Sequence, residues 1–173
     1  MFETHTMLDD VDGIFSKHNQ ELIDETVTEV FGMMLGFATE LVSPPTTLSS
    51  ASDQPERTAI VGFSGCMRGS CGIRVTALAA RAIASAMLCG MAIDDEDGSI
   101  DDAVGELCNM LAGGWKNRIP VLSSNCLLSP PAVISGSDYR VHIRTASTMV
   151  SRTYTFESHT LQMILVCDQP VAS

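Results

Sequence analysis

Near the middle of the chain, three polar side chains are spaced to do chemistry together. In DDAVGELCNMLAGG, residues 101–114, Asp102, Glu106 and Asn109 recur at intervals of four and three, and Gly113 follows four residues later. At about 100° per residue these positions share one side of an α-helix. Val104, Leu107, Cys108 and Leu111 gather on the other side as one apolar stripe. A face needed only for solubility usually carries Lys, Glu and Arg. This one has two carboxylates, an amide and a glycine, with small Gly105 and Ala112 beside them, so it is acidic and open to close approach. A carboxamide is a poor base, but it offers both a donor and an acceptor and can hold and aim a water molecule. A glutamate one turn away can take a cation. On a convex helix such a pair does little alone; set into a pocket that already holds a phosphoryl group and a metal, it completes a hydrolytic site by positioning. A solvated helix face is the plain alternative.

The remaining composition narrows the partners. The chain has 173 residues, 45% hydrophobic and 18% charged, with a formal net charge of −11. That length and balance fit one globular domain. The negative field repels phosphate backbones and anionic lipid, so neither nucleic acid nor a membrane surface is expected as partner, and lysine or arginine on a protein partner is favoured. No basic segment followed by an apolar run stands at the N-terminus, and the longest apolar stretch, 77–93, is broken by Arg81. A cytoplasmic protein with reduced cysteines is the expectation. No metal site is expected. Cys66 and Cys71 are spaced C-x4-C without a second pair, and Cys89, Cys108, Cys126 and Cys167 lie in apolar contexts that read as small core residues. His5, His18, His142 and His159 form no motif with one another.

The elements that must carry the strip follow from periodicity. Residues 1–17 read as a lead-in to a single domain over 18–173. Leu22, Val27, Val30, Phe31 and Met34 predict a helix over 18–35 with Gly36 as its stop. A loop follows in VSPPTTLSSASDQPE, then two strands over 57–76 joined near Arg68-Gly69, then an alanine-rich helix from Ala77. DDEDGS is an acidic connector. The helix of the strip takes Ser99 as its N-cap, places Asp101 and Asp102 favourably for the helix dipole and ends near Gly113-Gly114. Pro130-Pro131 breaks any central strand there. YRVHIRTAS, MVSRTYTFES and TLQMILVCD read as three further strands. The fold class is therefore α+β, a mainly antiparallel sheet with helices packed on it. A weak internal pseudo-repeat lays IDETVTEVFG on VGELCNMLAG, with Glu25 opposite Glu106 and Thr28 opposite Asn109.

Familiar catalytic motifs are absent. There is no G-x-G-x-x-G, P-loop or G-x-S-x-G, and Asp94 to Asp97 lack the alternation of a calcium loop. What is present, AVGELCNMLAGG followed by SPPAVISG, closely resembles the CheC/CheX family of chemotaxis phosphatases, as do IVGFSGCMRGSCGIRV and AIASAMLCGM before them. The resemblance covers most of residues 18–167. It implies dephosphorylation of a CheY-like response regulator in two-component signalling. Asn109 would orient the attacking water at the phosphoaspartate, and Glu106 would pair with the regulator's active-site lysine. Asp102, Gly113, Pro130 and Pro131 would line the contact. Mg2+ would belong to the regulator, with no cofactor in this chain. A single site, with Thr28 standing where a second amide would be, points to a CheX-like member, and a homodimer is implied. Cys108 and Trp115 depart from the family pattern; the tryptophan either packs under the helix or touches the partner. A non-catalytic module docking on a receiver domain, and a flagellar-switch-like scaffold, are the other readings.

Overall fold

A serine opens the first helix. Its hydroxyl accepts a hydrogen bond from the Asn19 N–H at 3.3 Å, as an N-cap does, and α1 (Lys17–Val30) buries Ile23, Thr26 and Val27. The chain then widens into a π-helical turn, Phe31–Leu35, and stops at Gly36, whose φ of 73° is left-handed and suits glycine. The helix over 18–35 is thus present, but the wider turn leaves Met34, spaced for the core, 54% exposed.

The structure is a computed structural model and describes residues 13–43, 56–91, 93, 98–137, 139, 141 and 148–168. After α1 come β1 (Thr39–Leu41), β2 (Glu56–Gly65), β3 (Arg68–Thr76) and α2 (Ala77–Met87). They are followed by α3 (Ser99–Arg118), a short α4 (Pro120–Asn125), β4 (Cys126–Leu128), β5 (Ala132–Gly136), β6 (Thr148–Phe156) and β7 (His159–Asp168). The acidic connector at 94–97, most of the loop after β1 and most of the strand expected at 139–147 lie outside the described residues, as do residues 1–12 of the lead-in. Ile14 and Phe15, the next apolar pair, are in the core.

All pairings in the sheet are antiparallel, in the order β1-β6-β7-β3-β2, with β4 and β5 sharing the far side of β2. Alternation along the strands sends Ala59, Val61, Phe63, Cys71, Ile73, Val75, Leu161, Met163 and Leu165 to one face, where the helices bury them. On the other face Arg74 pairs with Glu56, and Tyr139 and Thr58 share a hydrogen bond of 2.7 Å between their hydroxyls.

Between β4 and β5 the register slips by one: Phe63 faces Leu128, Ile60 faces Ala132, and Ser129, Pro130 and Pro131 span the two residues between. This is a β-bulge, and a proline that cannot donate to a ladder fits there. The two prolines do break the strand, and the broken strand lies at the sheet's edge.

Three local expectations are corrected. The hairpin turns at Cys66 and Met67, not at Arg68-Gly69. Gly69 is already paired with Phe63, and a Cβ there would stand 2.0 Å from the Val166 carbonyl oxygen, so this glycine permits close strand approach. Next, Gly98, with φ 82°, precedes the first residue of α3, so Ser99 is that first residue and not the cap. Finally, α3 does not end at Gly113-Gly114 but continues to Arg118. Gly114 is needed where α1 crosses: a Cβ would meet the Thr26 methyl at 2.8 Å.

The topology gives the pseudo-repeat a structural form. Each half of the chain supplies a helix, an edge strand and a hairpin, α1–β1–β2–β3 and α3–β4/β5–β6–β7, and β3 pairs with β7 at the join. The edge strands are exchanged: β1 pairs with β6 of the second half, and β4 and β5 pair with β2 of the first.

Candidate active site

Helix α3 buries Val104, Leu107, Cys108 and Leu111, the stripe expected from spacing, and adds Ile100, Ala103, Ala112 and Trp115. The fully buried Trp115 packs under the helix. Its indole N–H donates to the Asn19 carbonyl at 3.1 Å, and its ring stacks on Phe15 with centroids 5.9 Å apart. Cys108 is sealed as well, with its thiol 3.6 Å from the carbonyls of Ala59 and Cys71. Burial and the Cys108 thiol, the latter first, push the Cys71 thiol well above the ordinary range. Both departures from the family pattern therefore lie beneath the helix, away from its polar side.

On that polar side Asp102 and Glu106 are exposed, and Asn109 and Gly113 are half-buried. Among the described residues, no hydrogen bond or ion pair engages the side chains of Glu106 or Asn109. The neighbouring acid is engaged. Asp101 accepts from Arg57 Nε at 2.6 Å and from the Ser135 hydroxyl at 2.8 Å, which pins the first turn of α3 to β2 and β5. Spacing alone places Asp101 only as a complement to the helix dipole; its two holders are 44 and 34 residues away and leave no local signal.

The proline segment comes to the same helix. A Cβ on Gly105 would stand 3.4 Å from Pro131 and 3.2 Å from a Val133 methyl, so the absence of a side chain lets the edge strand sit against α3 beside Glu106. Pro130, within the bulge, is exposed. Gly113 has more room, with Leu128 3.7 Å from where its Cβ would be. A glycine in the middle of an amphipathic helix, where alanine is favoured by about 1 kcal/mol, is the sequence signal for such an approach.

The corresponding side of α1 is closed. Arg118 pairs with Glu25 at 3.3 Å and with Glu29, while Thr28 and Thr39 share a hydrogen bond of 3.3 Å. Of the cysteines read as core, Cys71, Cys108, Cys126 and Cys167 are buried; Cys66 and Cys89 are exposed, because they stand in the turns that end β2 and α2. Among the described residues no three of His, Cys, Asp or Glu come together as metal ligands, and no helix is long and apolar enough to cross a membrane.

The model of the family "Chemotaxis phosphatase CheX" matches residues 57–156, more than half of the chain. The chain belongs to the CheX family. The matched span holds both strands of the first hairpin, α2, all of α3 and the Pro-Pro bulge. A protein of Thermotoga maritima named CheY-P phosphatase CheX is 28% identical over 117 residues, 68% of this chain and 72% of its own length. Among solved structures, the chemotaxis protein CheX of Desulfovibrio desulfuricans superposes with a TM-score of 0.73 at 22% identity, covering 87% of this chain and 99% of that one. CheX in the CheX–CheY–BeF3–Mg2+ complex of Borrelia burgdorferi superposes at 0.69 with 18% identity, covering 87% and 98%. These neighbours share the CheX fold: one antiparallel sheet under a layer of helices.

Proposed function

We propose that this CheX-family chain is a phosphatase that hydrolyses the phosphoaspartate of a CheY-like response regulator by inserting Glu106 and Asn109 into the regulator's active site. The observation that carries the reading is the pairing of a carboxylate and a carboxamide one turn apart on an exposed helix face, both without a side-chain partner among the described residues. By contrast, Glu25 and Glu29 on α1 share Arg118, and Asp101 on α3 is held by Arg57 and Ser135.

In this reading the Asn109 carboxamide oxygen accepts a hydrogen bond from water and holds it in line with the phosphorus. Water attacks, the bond between phosphorus and the aspartyl oxygen breaks, the carboxylate leaves with the electron pair, and the protons of the water stay on the inorganic phosphate released. Glu106 takes the regulator's lysine ammonium in a charge-assisted hydrogen bond and so fixes the depth of insertion. Mg2+ sits in the regulator, where it neutralises phosphoryl charge. Asp102, Gly113, Pro130 and Pro131 border the contact: small Gly113 leaves room for the regulator's backbone, and the bulge presents its prolines beside the inserted turn. The relative named CheY-P phosphatase CheX and the CheX–CheY complex support the choice of partner.

We also propose a homodimer. The sheet face away from the helices offers exposed Leu127 and Met149 to a second copy, and sedimentation equilibrium reads the mass. The compartment in this reading is the cytoplasm, where two-component regulators are phosphorylated.

The decisive experiment follows the decay of phosphate from a CheY-like receiver of the same organism, alone, with this protein and with Asn109→Ala. Faster decay with the natural protein, lost in a variant that still binds, supports catalysis by insertion. Binding with unchanged decay makes the strip a docking surface of a non-catalytic module and overturns the phosphatase reading for that receiver.

A further inference from the structure

Beyond the helix face, two cysteines meet at the corner where β2, β4 and α4 join. Gly65 is paired with Cys126, and the Cys66 N–H donates to the Asn125 carbonyl at 3.0 Å, so Cys66 and Cys126 stand at diagonal positions across an antiparallel pair. Strand spacing and rise put such Cα atoms about 6 Å apart, inside the span of about 4.4–6.8 Å that a disulfide bridges. In a regular strand the two side chains would point to opposite faces. Here Gly65, at φ 109°, breaks the alternation, and the Cys66 thiol lies 3.5 Å from the Val121 carbonyl of α4, on the helix side of the sheet. Cys126 faces the same side, since Leu128, two residues on, lies against α3. Cys66 is exposed and Cys126 is buried behind it. Lys116 closes the corner, with its ammonium on the carbonyls of Leu122 and Ser123 at 3.4 and 3.0 Å.

We propose that Cys66 and Cys126 form a dithiol–disulfide couple that exchanges with small-molecule disulfides. The Cys66 thiolate attacks one sulfur of the small disulfide, forming a mixed disulfide and releasing one thiolate. Cys126 then loses its proton and attacks the Cys66 sulfur, forming the internal bridge and releasing the second thiolate. Two electrons pass to the small disulfide, and the two protons lost by the protein end on the two thiols released. The order follows from access: only Cys66 can be reached first, while burial, and then the neighbouring Cys66, raise the Cys126 thiol and Lys116 opposes that rise. The other cysteines are differently placed. Cys71, Cys108 and Cys167 are sealed in the core, and Cys89 is the lone exposed thiol of the turn after α2. Since β4 carries Leu128 against Gly113, the bridge would tie down the strand that flanks the polar face of α3.

The test treats the full chain with oxidised glutathione under native conditions in a Cys89→Ser background, then counts thiols and maps disulfide-linked peptides. The expected result is a fall from the five cysteines left to three free thiols, with Cys66 joined to Cys126 and no glutathione retained. Adding Cys126→Ser should stop the reaction with glutathione held on Cys66. Glutathione retained on Cys66 when Cys126 is present, or five free thiols after equilibration, overturns the proposal. Peptide mapping on the protein with both cysteines decides the matter even if a variant folds poorly.

Discussion

Gly114 and the methyl of Thr26 meet where α1 crosses α3, and a Cβ on the glycine would stand 2.8 Å from that methyl. Threonine is stiff at χ1 and its hydroxyl is held by the Leu22 carbonyl at 2.6 Å, so the methyl cannot swing aside. Overpacking costs about 1–3 kcal/mol, and alanine over glycine in a helix returns about 1 kcal/mol. Gly114→Ala should therefore lose up to about 2 kcal/mol and several degrees in Tm. Thr26→Ser in the same chain, which removes only the methyl, should restore most of it. Thermal unfolding of the single and double variants checks this.

Gly105 provides the contrast. Its added Cβ would lie 3.2 Å from an edge-strand methyl, a contact a few tenths of an ångström of strand movement relieves. The propensity gain of about 1 kcal/mol then roughly cancels the crowding. Gly105→Ala should leave stability within about 0.5 kcal/mol of the natural protein and weaken regulator docking, because Pro131 moves. Urea unfolding and a binding titration separate the two effects; a large stability loss would show that the edge strand cannot yield.

Glu106 and Asn109 should divide their roles. In the proposed complex Glu106→Gln would remove a charge-assisted bond worth about 1.5–3 kcal/mol, roughly a ten- to hundredfold rise in Kd for the receiver. It should also flatten the dependence of association on salt. Asn109→Ala should leave Kd within a few fold and lower the hydrolytic rate on the order of a hundredfold, the scale of lost positioning. Titrations at two ionic strengths beside single-turnover decay report both quantities.

Tyr154 predicts a pH dependence. Its hydroxyl donates to Asp24 at 2.6 Å, and burial first, then that carboxylate, raise the phenol well above its ordinary range. The folded chain thus holds this proton more tightly than the unfolded chain, whose phenol titrates near about 10. The stability it contributes is whole below about pH 10 and drains as pH rises beyond it. Tyr154→Phe should cost about 1.5–3 kcal/mol at neutral pH, and its gap to the natural protein should narrow above about pH 10. A gap that holds or widens there contradicts the assignment. Denaturant unfolding at neutral pH and again about half a unit above the free phenol's pKa distinguishes these outcomes.

Features that repeat locally are legible in the amino-acid sequence itself. The period of Val104, Leu107, Cys108 and Leu111 specifies the buried side of α3 and leaves Asp102, Glu106 and Asn109 outside, and the prolines rule out a central strand. Features that depend on a distant neighbour mislead. Gly113-Gly114 has the composition of a helix stop, but the helix is held past it by packing of Trp115 and by the crossing of α1. Arg68-Gly69 has the composition of a turn, yet the glycine answers to Val166, nearly a hundred residues on. The hold of Arg57 and Ser135 on Asp101 has no signature at all, because an ion pair between a strand and a helix has no period.

The exchange of edge strands bears on how this molecule comes into being. During synthesis β1 emerges long before β6, the strand that receives it, and β2 waits with a bare edge until β4 and β5 arrive. Neither half of the chain can complete its own sheet. Non-local pairing of this kind closes loops late and folds slowly. Cutting the chain between α2 and α3 would leave two fragments, each with an unsatisfied strand edge and each complementary to the other. Their natural fate is mutual rescue when mixed and aggregation when alone.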